Sequence, residues 1–134
     1  MSTILVDNLT GKTSAGDITV TSEGGAATQS LQQGLAKAWA QDETLNTSAN
    51  YVEDTFNIAS TVDDATGRVS FNVTNSFSND GYAVCGNSTS NANSNCMPKN
   101  NHNSTSRFDV AIFKVDSQAY NDTPCTMISH GDLA

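Results

Sequence analysis

The hydrophobic pattern of the first 25 residues predicts two short strands. Apolar residues cluster at positions 4–6 and again at 18–20, with a polar, glycine-containing stretch between them, and Gly24-Gly25 ends the pattern. We therefore predict strands at about 3–6 and 17–21. Two strands of this length are too short to form a stable isolated hairpin, so their backbone groups must find further partners.

Residues 26–41, AATQSLQQGLAKAWAQ, have the spacing of an amphipathic helix. Apolar side chains recur at i, i+4, i+8, i+11 and i+12 along one face. The pattern predicts one helix with a narrow apolar stripe. Two uses of the stripe remain open: self-association about an axis, and packing of the helix on its own domain. For self-association the contact residues are Leu31, Leu35 and Trp39.

From residue 50 onward the pattern becomes that of β-strands. Val69, Phe71 and Val73 alternate with polar residues, which is typical of a half-buried strand. Residues 107–115 are apolar on both faces, which indicates burial on both sides in a sandwich or at a subunit interface. A last strand covers 125–130. Several short strands separated by turn signals predict a small antiparallel β-sandwich.

Turn and loop signals separate these strands. VDDATG at 62–67 and NDG at 79–81 predict turns, and the nearly apolar-free stretch 87–104 predicts a long surface loop. Its amide and hydroxyl groups suit sugar hydroxyls, and Tyr82 or Tyr120 would supply a stacking ring. An ordinary solvated loop is the alternative. The candidate receptor-binding residues of this loop are Asn91, Asn95, Asn101 and His102.

Composition and charge narrow the class of protein. Leu, Ile, Val and Phe number only 25 of 134 residues, whereas Ser, Thr and Asn number 47, which favours an extended β protein whose core is shared between subunits. The formal net charge of −8 argues against nucleic-acid binding. No apolar stretch approaches the length of a membrane span, and the N-terminus lacks the pattern of a secretory signal. We expect no membrane partner and synthesis in a cytoplasm.

The side chains that could carry catalysis or bind metal form no recognisable motif. Three cysteines do not predict a disulfide framework, although oxidation between Cys85 and Cys96 remains open. The acidic pairs Glu53-Asp54 and Asp63-Asp64 are adjacent in sequence, so a strand or turn would not aim both carboxylates at one substrate. His102 and His130 are expected at the surface. We predict no catalytic residue, no metal site and no cofactor, and therefore no enzyme.

Several segments, taken in order, resemble short virion fibre proteins of tailed bacteriophages, particularly those of marine bacteria. The start STILVDNLTG resembles their x-I-x-V-D-x-L opening, and GLAKAW (34–39) resembles their G-x-A-K-A-W link. Residues 54–86 resemble their S-F-N-V-S-S-x-x-D-x-x-T-G-x-Y-T-V-x-F hairpin with its following Y-A-V-x-G strand. RFDVAIFKVD with CTMISHGD resembles their closing pair of strands. The resemblance covers most of the chain.

The resemblance implies a homotrimeric virion structural protein, a tail-fibre-like fibre or spike assembled in the host bacterial cytoplasm. Its partners would be itself, other virion proteins and a host-surface glycan. Two alternatives remain: a capsid fibre or decoration protein, and a glycan-binding receptor-recognition module. The predicted organisation is a particle-attachment segment at 1–25, a helix and trimer contact at 26–41, and a β-sandwich at 42–134. The attachment contacts are Ile4, Val6, Leu9, Ile18 and Val20.

The predicted fold is therefore mainly β. It has short N-terminal strands and one helix, followed by a small antiparallel β-sandwich, and it assembles as a homotrimer.

Overall fold

The computed structural model describes residues 3–14, 18–21, 24–25, 27–42, 52–88, 94–98 and 104–132. The chain divides into two compact units. Residues 1–35 form the N-terminal unit, and residues 36–134 form the sandwich unit.

The N-terminal unit contains a two-stranded antiparallel ribbon. Strands β1 (Thr19–Thr21) and β2 (Thr28–Ser30) pair with each other, and the single helical turn α1 (Leu31–Gly34) follows directly. The backbone N–H of Leu31 donates to the carbonyl oxygen of Ile18 at 2.7 Å, which ties the turn to the ribbon. The strand predicted at 3–6 is wrong, because β1 pairs with β2 and not with the start of the chain.

The helix predicted over 26–41 is also wrong. Within the described part of this span, 27–41, only Leu31–Gly34 is helical, and strand β3 (Ala38–Asp42) occupies its last part. Ala38, Ala40 and Asp42 are buried alternately with half-buried neighbours, so the local period is two residues. A strand with a hydrogen-bonded neighbour on each side satisfies this backbone, whereas a short helix would bear the cost of nucleation for few hydrogen bonds.

The described residues of the sandwich unit form two four-stranded antiparallel sheets. This confirms a mainly β chain with antiparallel sheets, and the arrangement fits a β-sandwich. Sheet 1 has the order β4 (Val52–Phe56), β3, β10 (Cys125–His130) and β7 (Ala83–Ser88). Sheet 2 has the order β5 (Ile58–Ala65), β6 (Arg68–Val73), β9 (Arg107–Lys114) and β8 (Ser94–Pro98).

Among the described residues, one hydrophobic core joins the two sheets. Phe71 of β6 and Phe108 of β9 are fully buried and stack with ring centroids 5.2 Å apart. The predicted apolar face of β6 is confirmed, since Val69, Phe71 and Val73 are buried, whereas Ser70 on the predicted polar face is buried as well. The core of sheet 2 packs against small and flexible side chains of sheet 1. The buried core residues are Ala38, Ala40, Val69, Phe71, Val73, Phe77, Phe108, Val110, Ile112, Cys125 and Met127.

Two connections differ from the prediction. Strand β5 continues through the first part of the predicted turn 62–67, and the chain reverses at 66–67, where Gly67 has a φ of +62°. The predicted loop 87–104 is interrupted by β8, which pairs with β9. An edge strand such as β8 is held by backbone hydrogen bonds on one side, so it needs no apolar pattern that the sequence would reveal.

Asn57 forms the corner at which the chain passes from sheet 1 to sheet 2. It has a φ of +59°, a left-handed conformation that asparagine tolerates better than most residues. Its side-chain amide donates to the carbonyl oxygens of Lys37 and Asn75, both at 3.0 Å, and its side-chain oxygen accepts from the N–H of Asn75 at 2.7 Å. These contacts fix the edge strand β4 against β3 and thereby position the outer face of sheet 1.

Candidate attachment surface

The N-terminal apolar segment, residues 3–9, exposes most of its aliphatic side chains. Ile4 and Leu5 are 82% and 89% exposed, and Val6 and Leu9 are also exposed. Residues 3–14 carry no strand. A run of aliphatic side chains left in water is typical of a surface that binds another protein.

A second exposed apolar patch in the same unit combines a residue of the ribbon with the residue that follows the helical turn. Val20 is 50% exposed and Leu35 is 54% exposed. They lie at a cavity of about 240 Å³ whose remaining lining residues are Gln29, Ser30, Leu31 and Gly34. Of the predicted attachment contacts, Ile4, Val6, Leu9 and Val20 are therefore exposed. Ile18 is half-buried, and its carbonyl oxygen is engaged by Leu31.

The predicted trimer-contact residues do not share a helix face, because that helix is not formed. Leu31 lies on the helical turn and Leu35 directly follows it. Trp39 lies on β3, half-buried on the outer face of sheet 1, opposite Phe56 and Ile128 on the neighbouring strands.

The predicted receptor loop is described only in part. Asn91, Asn101 and His102 lie outside the described residues, and Asn95 lies on β8 opposite Phe113. A thiol near this region, Cys85 on β7, is free and exposed.

The two tyrosines proposed as stacking rings are packed against other side chains. The ring of Tyr82 stacks on Phe77 at 4.2 Å, and its hydroxyl donates to the carbonyl oxygen of Arg107 at 2.6 Å. The ring of Tyr120 lies 4.3 Å from the ring of Phe113 and 4.3 Å from the guanidinium carbon of Arg68. Both tyrosines therefore hold the connecting segments in which they lie against the strands of the sandwich.

Burial raises the pKa of Tyr82 to about 12 from an ordinary value of 10.0, and the negative charges of Asp109 and Asp80 add to the effect. Between pH 10.0 and about 12, the Tyr82 hydroxyl therefore keeps its proton in the native state and loses it in the unfolded chain. The contribution of this group to stability is complete below pH 10 and is lost as the pH rises toward 12.

We expect the Tyr82→Phe variant to lose less stability than wild type over this pH window, because it lacks the titrating hydroxyl. The measurement is the free energy of unfolding in urea at several pH values below and above 10.0. The Tyr120→Phe variant keeps Tyr82, so its free energy of unfolding should fall with rising pH as steeply as that of wild type. Equal slopes for wild type and Tyr82→Phe would contradict the burial of this hydroxyl.

A polar network that sequence analysis missed lies on the outer face of sheet 2. Arg107 donates to Asp109 at 2.6 Å and to Asp64 at 3.1 Å, and the Ser70 hydroxyl lies between the same two carboxylates. The hydrogen bond to Asp109 is the main cause that raises the pKa of Arg107 above its ordinary value. Arg107 and Asp109 are two residues apart on one strand, a spacing that could have indicated a shared face.

This network is suited to linking strands β5, β6 and β9 of sheet 2 and not to nucleophilic catalysis. Ser70 is fully buried, and its hydrogen-bond partners are carboxylates, with no imidazole base among those described. Asp63 and Asp64 lie in strand β5 and not in a turn, and they occupy successive positions along it. Their carboxylates consequently do not form a glycosidase-like pair.

Two further features, a metal-ligand cluster and a membrane-spanning helix, are absent from the described residues. In that part of the chain, no group of three or more His, Cys, Asp or Glu side chains is placed to hold a metal ion. No helix there is long and apolar enough to cross a membrane. Comparison with protein-family models, with curated proteins and with solved structures found no match to this chain. Its function is therefore inferred from its own residues.

Proposed function

We propose that this chain is a structural protein of a bacteriophage virion. It forms a homotrimeric fibre or spike, attaches to the particle through its N-terminal apolar segment, and carries the sandwich unit as its second part. The observation that supports the proposal most is the exposure of the aliphatic side chains of residues 3–9. The segments that resemble virion fibre proteins of tailed bacteriophages follow one another in the same order along the chain, and this supports a bacteriophage as the source of the particle.

Burial of this segment on a partner would be strongly favourable. Moving one Leu, Ile or Val side chain from water into an apolar contact contributes about 1.5–3 kcal/mol. Four such side chains would offset much of the entropy lost when a flexible segment becomes ordered. The segment also has backbone groups outside any strand, so it can add to the edge of a sheet in a particle protein or interleave with other copies.

The division of the chain into two units supports a modular role. The buried core of the sandwich unit consists of residues from 38 to 127. None of the exposed aliphatic residues at 4–9 belongs to that core. Attachment can therefore be disrupted by mutation while the sandwich keeps its packing.

We expect Ile4→Asp and Val6→Asp to prevent incorporation into virions, because each places a charge where an apolar contact must form. Host cells that produce the particles would express each variant in place of the wild-type chain. Mass spectrometry of the purified particles would then measure how many copies of the variant they contain. The matched control is Asn8→Asp, which adds the same charge at an exposed polar position of the segment. Incorporation of Ile4→Asp at the wild-type level would refute attachment through this segment. The copy number also distinguishes a tail fibre from a capsid decoration protein.

The trimer has an independent test. Light scattering of the purified chain should give a mass of three chains of 14.1 kDa each. A monomer at all concentrations would contradict the trimer.

A further inference from the structure

One outer face of the sandwich carries an apolar stripe that crosses all four strands. On sheet 1, Phe56 of β4 lies opposite Trp39 of β3, Trp39 lies opposite Ile128 of β10, and Ile128 lies opposite Cys85 of β7. Phe56 is 50% exposed, Cys85 is exposed, and the two central side chains are half-buried. We call these four residues the outer stripe. With strands about 4.8 Å apart, it is about 14 Å long and one residue wide.

A row of hydrogen-bonding side chains runs parallel to the outer stripe. Two residues farther along each strand, Asp54 lies opposite Gln41, Gln41 opposite Thr126, and Thr126 opposite Asn87. Asp54 and Asn87 are exposed, and the central pair is half-buried. A carboxylate, two amides and a hydroxyl supply both donors and acceptors along the same line.

We propose that the outer stripe and this parallel row form a binding site for a linear neutral oligosaccharide. The C–H face of a pyranose ring packs on an aromatic side chain, while its hydroxyls need donors and acceptors at the ring edge. Phe56 and Trp39 supply two adjacent aromatic surfaces, and Asp54 and Gln41 lie beside them on the same strands. The site lies within the sandwich unit and does not depend on where the N-terminal segment attaches.

The dimensions of the outer stripe favour a sugar chain over a second protein. A stable protein interface covers about 800 Å² on each partner and has an apolar centre several residues wide. A line of four side chains with hydrogen-bonding groups immediately beside it does not provide such a centre. A polyanionic ligand is disfavoured by the net charge of −8.

The chain contains a built-in reporter for this site, because Trp39 is its only tryptophan. We would titrate the full chain with maltohexaose, cellohexaose and mannohexaose and record tryptophan emission. At least one of these sugars should shift the emission to shorter wavelength as the ring is covered. Phe56→Ala should weaken binding of that sugar by roughly tenfold, since one stacking surface is removed.

The control is Val62→Ala, which shortens an exposed side chain, 41% accessible, on edge strand β5 of the other sheet. It should leave sugar binding unchanged, and thermal unfolding followed by circular dichroism should show that both variants are folded. The proposal is overturned if none of the three sugars changes the emission at millimolar concentration, or if Phe56→Ala binds as wild type does. Contact between copies of the chain through the outer stripe would also overturn the proposal. Its signs would be a blue shift of the emission that grows with protein concentration in the absence of sugar, and an increased mass that Phe56→Ala abolishes.

Discussion

Replacement of Phe71 by alanine is expected to lower the free energy of unfolding by about 4 kcal/mol. Phe71 is fully buried at the centre of β6 and stacks on Phe108. The substitution removes the transfer free energy of a large aromatic side chain and leaves a cavity between two sheets that cannot close fully. A domain of ordinary stability, about 5–15 kcal/mol, would lose a large part of it. Urea unfolding followed by circular dichroism measures the change.

Phe56→Ala provides the matched control for Phe71→Ala. It makes the same chemical change at a half-exposed position on the outer face of sheet 1. We expect a loss well below that of Phe71→Ala, because much of the Phe56 ring is already in water and its removal leaves no enclosed cavity. Equal losses for the two variants would show that Phe71 does not occupy the centre of the core.

Replacement of Gly67 by alanine is expected to cost about 3 kcal/mol, although only one methyl group is added. Gly67 has a φ of +62°, a conformation in which a side chain is strained. The added Cβ would lie 2.6 Å from the backbone nitrogen of Asn121 and 2.7 Å from the carbonyl oxygen of Ile112. Both are backbone atoms held in hydrogen bonds, so they cannot move aside without disrupting the sheet. The same urea measurement applies.

Gly24→Ala serves as the control for Gly67→Ala. A Cβ at Gly24 would meet no atom within 4 Å, so this variant should stay within about 0.5 kcal/mol of wild type. If Gly67→Ala were equally neutral, the close approach of residues 121 and 112 to this turn would be wrong. The N–H of Gly67 also donates to the Asp122 carboxylate at 2.5 Å, and an Asp122→Asn variant should lose only part of the stability that Gly67→Ala loses.

The candidate sites were predictable from the sequence only in part. The aliphatic residues at 4–9 stand out because polar residues surround them, and the structure leaves them exposed. The outer stripe was not predictable. Trp39 has a helical spacing to Leu31 and Leu35, whereas its partner Phe56 comes from a strand 17 residues later. Cross-strand neighbours depend on sheet order and register, which local periodicity does not contain.

The sequence by itself determined the β character of most of the chain and the buried faces of its central strands. Alternation along β6 and the apolar run of β9 follow from the two-residue period of a strand, a local property that any register preserves. The sequence also predicts, as a proposal still to be tested, that the N-terminal segment binds a partner, since its apolar residues are too few to form a core.

Only the tertiary structure decided which strands pair, and therefore what each side chain contacts. Residues 38–42 became a strand because β10 and β4 supply ladder partners on both sides, and this outweighs a helical spacing in the sequence. Gly67 admits no side chain without strain because residues 112 and 121, distant in sequence, lie against it. Ser70 is buried on an outer face, where its hydroxyl contacts the carboxylates of Asp64 and Asp109 on the two neighbouring strands. Each of these outcomes depends on contacts between distant parts of the chain, whose free energies no local pattern records.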